Sequence, residues 1–323
     1  MNPLVSVIIP TFNRAHILST AIDSVLNQTY VDVECIVIDD GSSDNTKLLI
    51  DQFFNDERLK YHLRDRKPKG ASTCRNIGLS QAKGDFVVFL DSDDYLLPHC
   101  IEQRIAKVLK TPKLDFAVFP MQILKDGKLQ NHLLADKNLL IEFLSCNALW
   151  QTMCPIYSKE FLIKLGGFAE GYPRFNDLEI AIRSVISTKN FEIFPDLSAD
   201  SVHIPSSMDS LVLLDKVYNS HLEFIPDISV DLDKADLSGY KKFLIFYLHA
   251  WFKFIYIPSG SKEIGQSLTL INLYRKKKIF DESFALKLKL RCLLYLGTSL
   301  IGYPLNKLSD KGIYQHQLAK YEL

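Results

Sequence analysis

The strongest constraint on the fold is an alternation that begins at the start of the chain. Short β-rich apolar runs at residues 5–9, 34–38, 59–63, 86–90 and 116–119 are separated by segments of helical character at 15–28, 44–54, 72–81 and 98–109. Parallel strands need long crossovers between them, and helices are the usual crossovers, so this order predicts an α/β fold with a mostly parallel sheet between helices. Asp44 and Ser72 are expected to cap the helices they open, and Pro98 to sit in a first helical turn. Sheets of this kind gather ligands at the carboxyl ends of their strands. That rule points to residues 10–14, 39–44, 67–75 and 91–94. Beyond about residue 210 strand signals fade, and helices are expected at 234–257, 261–276 and 281–297. The chain thus divides at 210 into an α/β part, residues 1–210, and a basic helical extension, residues 211–323.

Charge supports the division. The whole chain of 323 residues is formally neutral, but residues 1–233 carry 23 Lys/Arg against 32 Asp/Glu, and residues 234–323 carry 15 against 6. An acidic first part suits a divalent cation, and a basic end suits an anionic surface such as a membrane leaflet. No nucleic-acid partner is expected. Cys35, Cys74, Cys100, Cys146, Cys154 and Cys292 are scattered, with no CxxC or Cys/His cluster, so reduced buried thiols are expected. The apolar stretches at 243–257 and 292–305 fall short of the roughly 20 residues of a spanning helix. With no basic leader ahead of the first strand, a cytoplasmic location is expected.

The chemistry-bearing residues sit where the strands end. Asp91, Ser92 and Asp93 follow an apolar strand, and hard carboxylate oxygens there suit Mg2+ or Mn2+ bridging a diphosphate. A solvated acidic turn fits the same residues. Asp39 and Asp40 end the second strand, where Asp40 could accept hydrogen bonds from a base or ribose, or simply belong to a turn. Asp231-Leu232-Asp233 repeats the acidic spacing without a strong strand before it and reads as a chance match. Neither GxGxxG after the first strand nor GxxxxGK[ST] occurs, which argues against a dinucleotide oxidoreductase and a P-loop NTPase.

The ordered segments VSVIIPTFNRA, SVLNQTY, VIDDGSSDNT, KGASTCRNIGLSQAKG and FLDSDDYLLP, within residues 4–98, resemble the family 2 glycosyltransferases of the GT-A fold. The resemblance implies that Pro10, Thr11 and Asp40 contact a nucleotide, with Arg75 and Ser92 helping to hold it. It makes Asp93 the metal-binding carboxylate, with Asp91 beside it. Through FLIKLGGFAEGYPRFNDLEIAIRS, residues 161–184, it places the general base at Asp177. Asn176 stands where the family usually has a glutamate, and Glu179 is the fallback base. A helix cap is the plainer role for Asp177. His203 falls where some relatives complete the metal shell with a histidine, and a partly buried structural histidine fits equally.

The activity implied is inverting transfer of a sugar from a nucleoside diphosphate donor to an acceptor hydroxyl, in bacterial surface polysaccharide, O-antigen or capsule synthesis. UDP is the expected nucleotide, with GDP and dTDP as alternatives, and the cofactor expected is Mn2+ or Mg2+. The expected acceptor is a carbohydrate or a lipid-linked saccharide. A catalytically silent sugar-nucleotide-binding protein and a sugar-1-phosphate nucleotidyltransferase are the competing readings. Lys241, Lys242, Arg275, Lys276, Lys277, Lys278, Lys287, Lys289 and Arg291 lie among Phe, Leu and Tyr, a mixture that suits either peripheral association with the inner face of the membrane or a solvated helix face.

Overall fold

The computed structural model describes residues 2–300 apart from residues 54, 112, 135–137, 206–209 and 260–261. The end of the expected basic extension, residues 301–323, lies outside the described residues. Two compact units are present, Met1–Phe143 with Asn147–Leu213, and Leu144–Cys146 with Leu214–Leu323.

In the first unit the elements run β1 (Val5–Thr11), α1 (Leu18–Leu26), β2 (Val33–Asp39), α2 (Thr46–Ile50), β3 (Leu59–Leu63), α3 (Ala71–Gln81), β4 (Phe86–Phe89), β5 (Tyr95–Leu96) and α4 (Cys100–Val108). There follow β6 (Phe116–Val118), β7 (Met121–Lys125), β8 (Lys128–Asn131), α5 (Leu139–Leu144), β9 (Pro155–Ser158), α6 (Lys159–Leu165), α7 (Asn176–Ser187), β10 (Phe191–Ile193) and β11 (Ser201–His203). A seven-stranded sheet has the order β10-β6-β9-β4-β1-β2-β3, and a second sheet the order β5-β11-β7-β8. The large sheet is parallel except for β9, which runs antiparallel between β4 and β6.

Every residue of β1 and β2 is buried, as expected of central strands covered on both faces. Four of those residues are polar, and the two in mid-strand satisfy each other: Ser6 donates to Glu34 at 2.6 Å, while the amides of Lys83 and Gly84 bond Glu34 and Ser6 at 2.7 and 2.9 Å. Helix α3 can lie close on β1 because residue 78 is glycine; a Cβ there would collide with Ile8.

All five expected strands are present, as β1 to β4 and β6, with ends differing by up to two residues. The Ser72 cap and the first-turn place of Pro98 are not. Helix α3 begins at Ala71 behind Gly70, so Ser72 lies inside the first turn, and Pro98 stands before α4, its carbonyl accepting from Thr29 at 2.8 Å. Asp44 accepts from the Thr46 amide at 3.0 Å, but the N-cap position of α2 is Asn45, one residue later. All six cysteines are free.

The second unit contains α8 (Ser210–Lys234), a 3-10 segment at Ser238–Leu244, α9 (Ile245–Trp251), a π-helical turn at Phe252–Tyr256, α10 (Ile264–Lys276) and α11 (Glu282–Leu300). The single helix expected at 234–257 is therefore three short pieces. Its apolar residues form core: Tyr247, Trp251 and Tyr256 are fully buried, with Trp251 Nε1 donating to Ser267 at 2.9 Å and Tyr256 to the Cys292 carbonyl at 2.8 Å. Asp233 binds Lys241 at 2.5 Å and also Ser238, which gives the second DxD a structural role and removes Lys241 from the exposed cations.

The most deeply buried ion pair of the first unit joins α4 to the residue before β11. Arg104 and Asp200 are both wholly inaccessible, bonded twice at 2.9 and 2.6 Å, and Arg104 also donates to the Met153 carbonyl at 2.7 Å. Removing one partner leaves the other charge buried alone, at a cost of about 3–5 kcal/mol. Asp200→Ala is expected to lose that much in urea unfolding, with Asp200→Ala/Arg104→Met recovering part of it.

Candidate active site

The carboxyl ends of β1, β2 and β4 bring the sequence motifs to one edge of the sheet. Thr11 pairs in register with Asp39, and the Thr11 carbonyl accepts the Asp40 amide at 2.8 Å. The two acids at this strand end have different surroundings. Asp39 holds the turn, accepting from the amides of Gly41 and Ser42 at 3.1 and 2.8 Å and from the Tyr61 hydroxyl at 2.7 Å. Asp40 instead faces the side chain of Arg64. Asn13, with φ 53°, locks the first loop to the second: its amide bonds Ser42 and its side-chain oxygen the Ser43 amide, both at 2.8 Å.

Helix α3 supplies the next group. The Asn76 side chain accepts from the Phe168 amide and donates to the Phe168 carbonyl and to Glu170, each at 2.8 Å. Gly167, with φ +67°, sits directly against Asn76, where a Cβ would collide with the amide oxygen. The RNxG segment and the Gly-Gly-Phe turn are thus two halves of one junction. One residue before Asn76, Arg75 is 2% exposed and lies over the Phe168 ring at 4.9 Å. Arg75 Nη2 is hydrogen-bonded to Asp91, and Nη1 stands 4.0 Å from the Asp177 carboxylate, at ion-pair distance but beyond hydrogen-bond reach. Its Nε and Nη1, with the buried hydroxyls of Thr11 and Ser72, have no hydrogen-bond partner among the described residues. Buried groups of this kind are few in native proteins, and here they leave this edge with donors to spare.

The four residues Asp91 to Asp94 divide their work. Asp91 faces Arg75, and Asp93 lies 3.3 Å from Arg14, a pairing that the sequence alone did not reveal. Ser92 is buried. Asp94 turns inward to β11, accepting from His203 Nδ1 at 3.0 and 3.2 Å and from the Ile204 amide at 2.8 Å. Burial pushes Asp94 up to about 6 against the pull of His203. The same hydrogen bond raises His203 above its ordinary value.

Asp177 lies in the first turn of α7, behind Phe175 in the left-handed region, so it is not the N-cap. Surrounding protein raises its carboxyl above the ordinary carboxylate range, Arg75 opposing the rise and Asp91 adding to it. Even so, 34% of its side chain still meets solvent. Glu179, the alternative base, is buried against Arg183 at 3.0 Å and the Ala169 amide at 3.3 Å. Arg183 also donates to the carbonyls of Leu165 and Gly167 at 2.9 and 2.6 Å, so Glu179 belongs to the fastening of α7 onto the glycine turn.

Among the described residues no group of three or more His, Cys, Asp and Glu side chains could hold a metal ion. Asp91, Asp93 and His203 do not converge, since each faces its own partner: Arg75, Arg14 and Asp94. Carboxylates at a strand end do fit a Mg2+ or Mn2+ ion bound through one or two of them together with substrate phosphate oxygens, the usual form for such ions beside diphosphates.

Residues 6–162, just under half of the chain, match the family described as Glycosyl transferase family 2. The UDP-Glc:alpha-D-GlcNAc-diphosphoundecaprenol beta-1,3-glucosyltransferase WfgD of Escherichia coli is 38% identical over 136 residues, covering 42% of this chain and 53% of that one. The GalNAc(5)-diNAcBac-PP-undecaprenol beta-1,3-glucosyltransferase of Campylobacter jejuni is 45% identical over 106 residues, 32% of this chain and 34% of that one. The match thus spans about half or less of these relatives. S. aureus TarS 1-349, crystallised in complex with UDP-GlcNAc, superposes with a TM-score of 0.70 over 93% of this chain and 92% of that one at 18% identity, which establishes the GT-A fold.

Removing a cation favours the neutral form of a nearby acid, and Arg75 is the cation that opposes the rise at Asp177. Arg75→Met is therefore expected to raise the Asp177 pKa further, read from carboxyl-carbon NMR titrations of the variant and the parent. An unchanged or lower value would dissociate the two residues.

Proposed function

We propose that the chain is an inverting glycosyltransferase that moves a sugar from a nucleoside diphosphate donor, UDP in the first instance, to an acceptor hydroxyl in bacterial surface polysaccharide synthesis. The observation that carries this reading is the position of Arg75, bonded to Asp91 and 4.0 Å from Asp177, which puts the donor-side acid and a partly open carboxylate around one buried cation. UDP as the nucleotide is supported by the donor named for the Escherichia coli relative, and a lipid-linked saccharide acceptor by the undecaprenol acceptors named for both relatives.

In this mechanism Asp177 takes the proton of the acceptor hydroxyl, the freed oxygen attacks the anomeric carbon, and the nucleoside diphosphate leaves from the opposite face. Arg75 opposes the rise that burial imposes on the Asp177 carboxyl, which favours the ionised form a base requires. The unpaired donors of Arg75, Thr11 and Ser72 are available to the nucleotide, and the family resemblance adds Pro10 and Asp40 to its contacts. A divalent ion on Asp93 and Asp91, with His203 nearby through Asp94, would neutralise the charge that develops on the leaving diphosphate. Arg14 would have to release Asp93 for that ion to bind.

Two experiments test the reading. Asp177→Asn keeps the shape of the side chain and removes the proton acceptor, so transfer is expected to fall by a factor of about 100 to 10,000. The melting temperature and UDP-sugar affinity should stay near those of the parent. A parent protein that binds UDP yet never turns over a donor sugar would instead be the silent binder, a reading favoured by Asn176 in place of the family's glutamate. For the metal, calorimetry of UDP binding with Mn2+ and with EDTA is expected to show a metal-dependent gain that Asp93→Ala abolishes. Equal affinity in both conditions would remove the ion from the site.

A further inference from the structure

Helix α11 carries two apolar faces where a helix at the edge of a core needs one. Its inner face is Ala285, Leu288, Cys292 and Tyr295, all buried, and the Cys292 carbonyl receives the Tyr256 hydroxyl. Those four residues are spaced three, four and three apart, as one side of a helix requires. A second row, Leu286, Leu290, Leu293 and Leu294, follows the same helical spacing on another side. It is exposed by 57, 52, 51 and 69% respectively. Single exposed leucines are common, but four on one stripe of one helix form an exposed apolar patch of the kind that marks an interaction surface.

The charges around the stripe indicate which partner. From Ser283 to Leu300 the helix has three basic residues, Lys287, Lys289 and Arg291, and no acidic one. At 3.6 residues per turn Lys287 and Lys289 fall on opposite flanks of the leucine row. A protein partner would have to match apolar side chains with acids along both borders. A leaflet of anionic lipid offers that combination everywhere, with acyl chains beneath a plane of negative headgroups. No helix among the described residues is long and apolar enough to cross a membrane, so contact of this kind lies along the surface.

We propose that α11 is a membrane-docking helix, lying in the plane of an anionic leaflet with Leu286, Leu290, Leu293 and Leu294 inserted and Lys287 and Lys289 on the headgroups. The role stands independently of the transfer reaction. It also narrows the basic surface: Lys241 is buried on Asp233, and Arg275 is engaged by Glu282, so neither is a free lipid contact.

The test is co-sedimentation of the full chain with vesicles of phosphatidylcholine alone or mixed with phosphatidylglycerol, at low and high salt. The expected result is binding to the mixed vesicles alone, released by salt. Lys287→Gln and Lys289→Gln should each weaken it about fivefold. Leu290→Ser/Leu294→Ser, at unchanged charge and at positions outside the core, should weaken it by at least about tenfold. Circular dichroism and UDP affinity, measured on each variant, identify any that fails to fold. The proposal is overturned by failure to bind the mixed vesicles, by equal binding to both vesicle types, or by a folded double-serine variant that binds as well as the parent. It is also overturned if sedimentation velocity without lipid shows a dimer that the double-serine change converts to monomer, because the stripe would then join two copies of the chain.

Discussion

The arrangement of the candidate site depends on a buried guanidinium. Arg75 has 2% of its surface exposed, and a charge so placed is tolerable only with compensating charge close by. Asp91 comes from the loop after β4 and Asp177 from α7, and both lie within ion-pair distance of Arg75. Neither acid is fixed by its own neighbours in sequence. The Asn76 clamp on the glycine turn, next along α3, sets where α7 begins, and the Arg183–Glu179 pair fastens the first turns of α7 to the same place. Position and charge are therefore set by the same few residues of one helix.

Four acids at the ligand edge each have a basic partner: Asp40 has Arg64, Asp91 has Arg75, Asp93 has Arg14 and Asp94 has His203. Within these four pairs the charges balance, while strong local charges of both signs remain. A ligand that brings anion and cation together can exchange partners with these pairs without leaving a bare charge behind, whereas a lone phosphate or a lone metal would disturb the balance.

Much of the first unit was legible from sequence because its signals are long or local. Strands β1 and β2 are seven residues each and wholly buried, so they read as continuous apolar runs, and the acids follow them directly. What escaped notice was short or distant. Strands β5, β10 and β11 have two or three residues, too few for a period to show. The pairing of Arg14 with Asp93, and of Asp94 with His203, joins residues far apart in the chain, and composition does not encode such pairings. Ser72 looked like a cap because serine favours that position, but Gly70 sets the turn and the helix starts at the residue between them. Helix α8 went unread because Pro226 and its mixed composition blur the helical period.

The two pairs that reach across to β11, Arg104 with Asp200 and Asp94 with His203, span 96 and 109 residues. During synthesis β1 to β4 and α4 leave the ribosome long before β11 does. Until then Arg104 and Asp94 cannot be buried with their charges answered, and contacts of such long sequence separation are slow to close even in a finished chain. The corner of the first unit that holds Arg104 and Asp94 is consequently the last part of it to consolidate. A nascent chain stopped short of residue 200 would hold most of the strand-end motifs on a sheet still open at one corner.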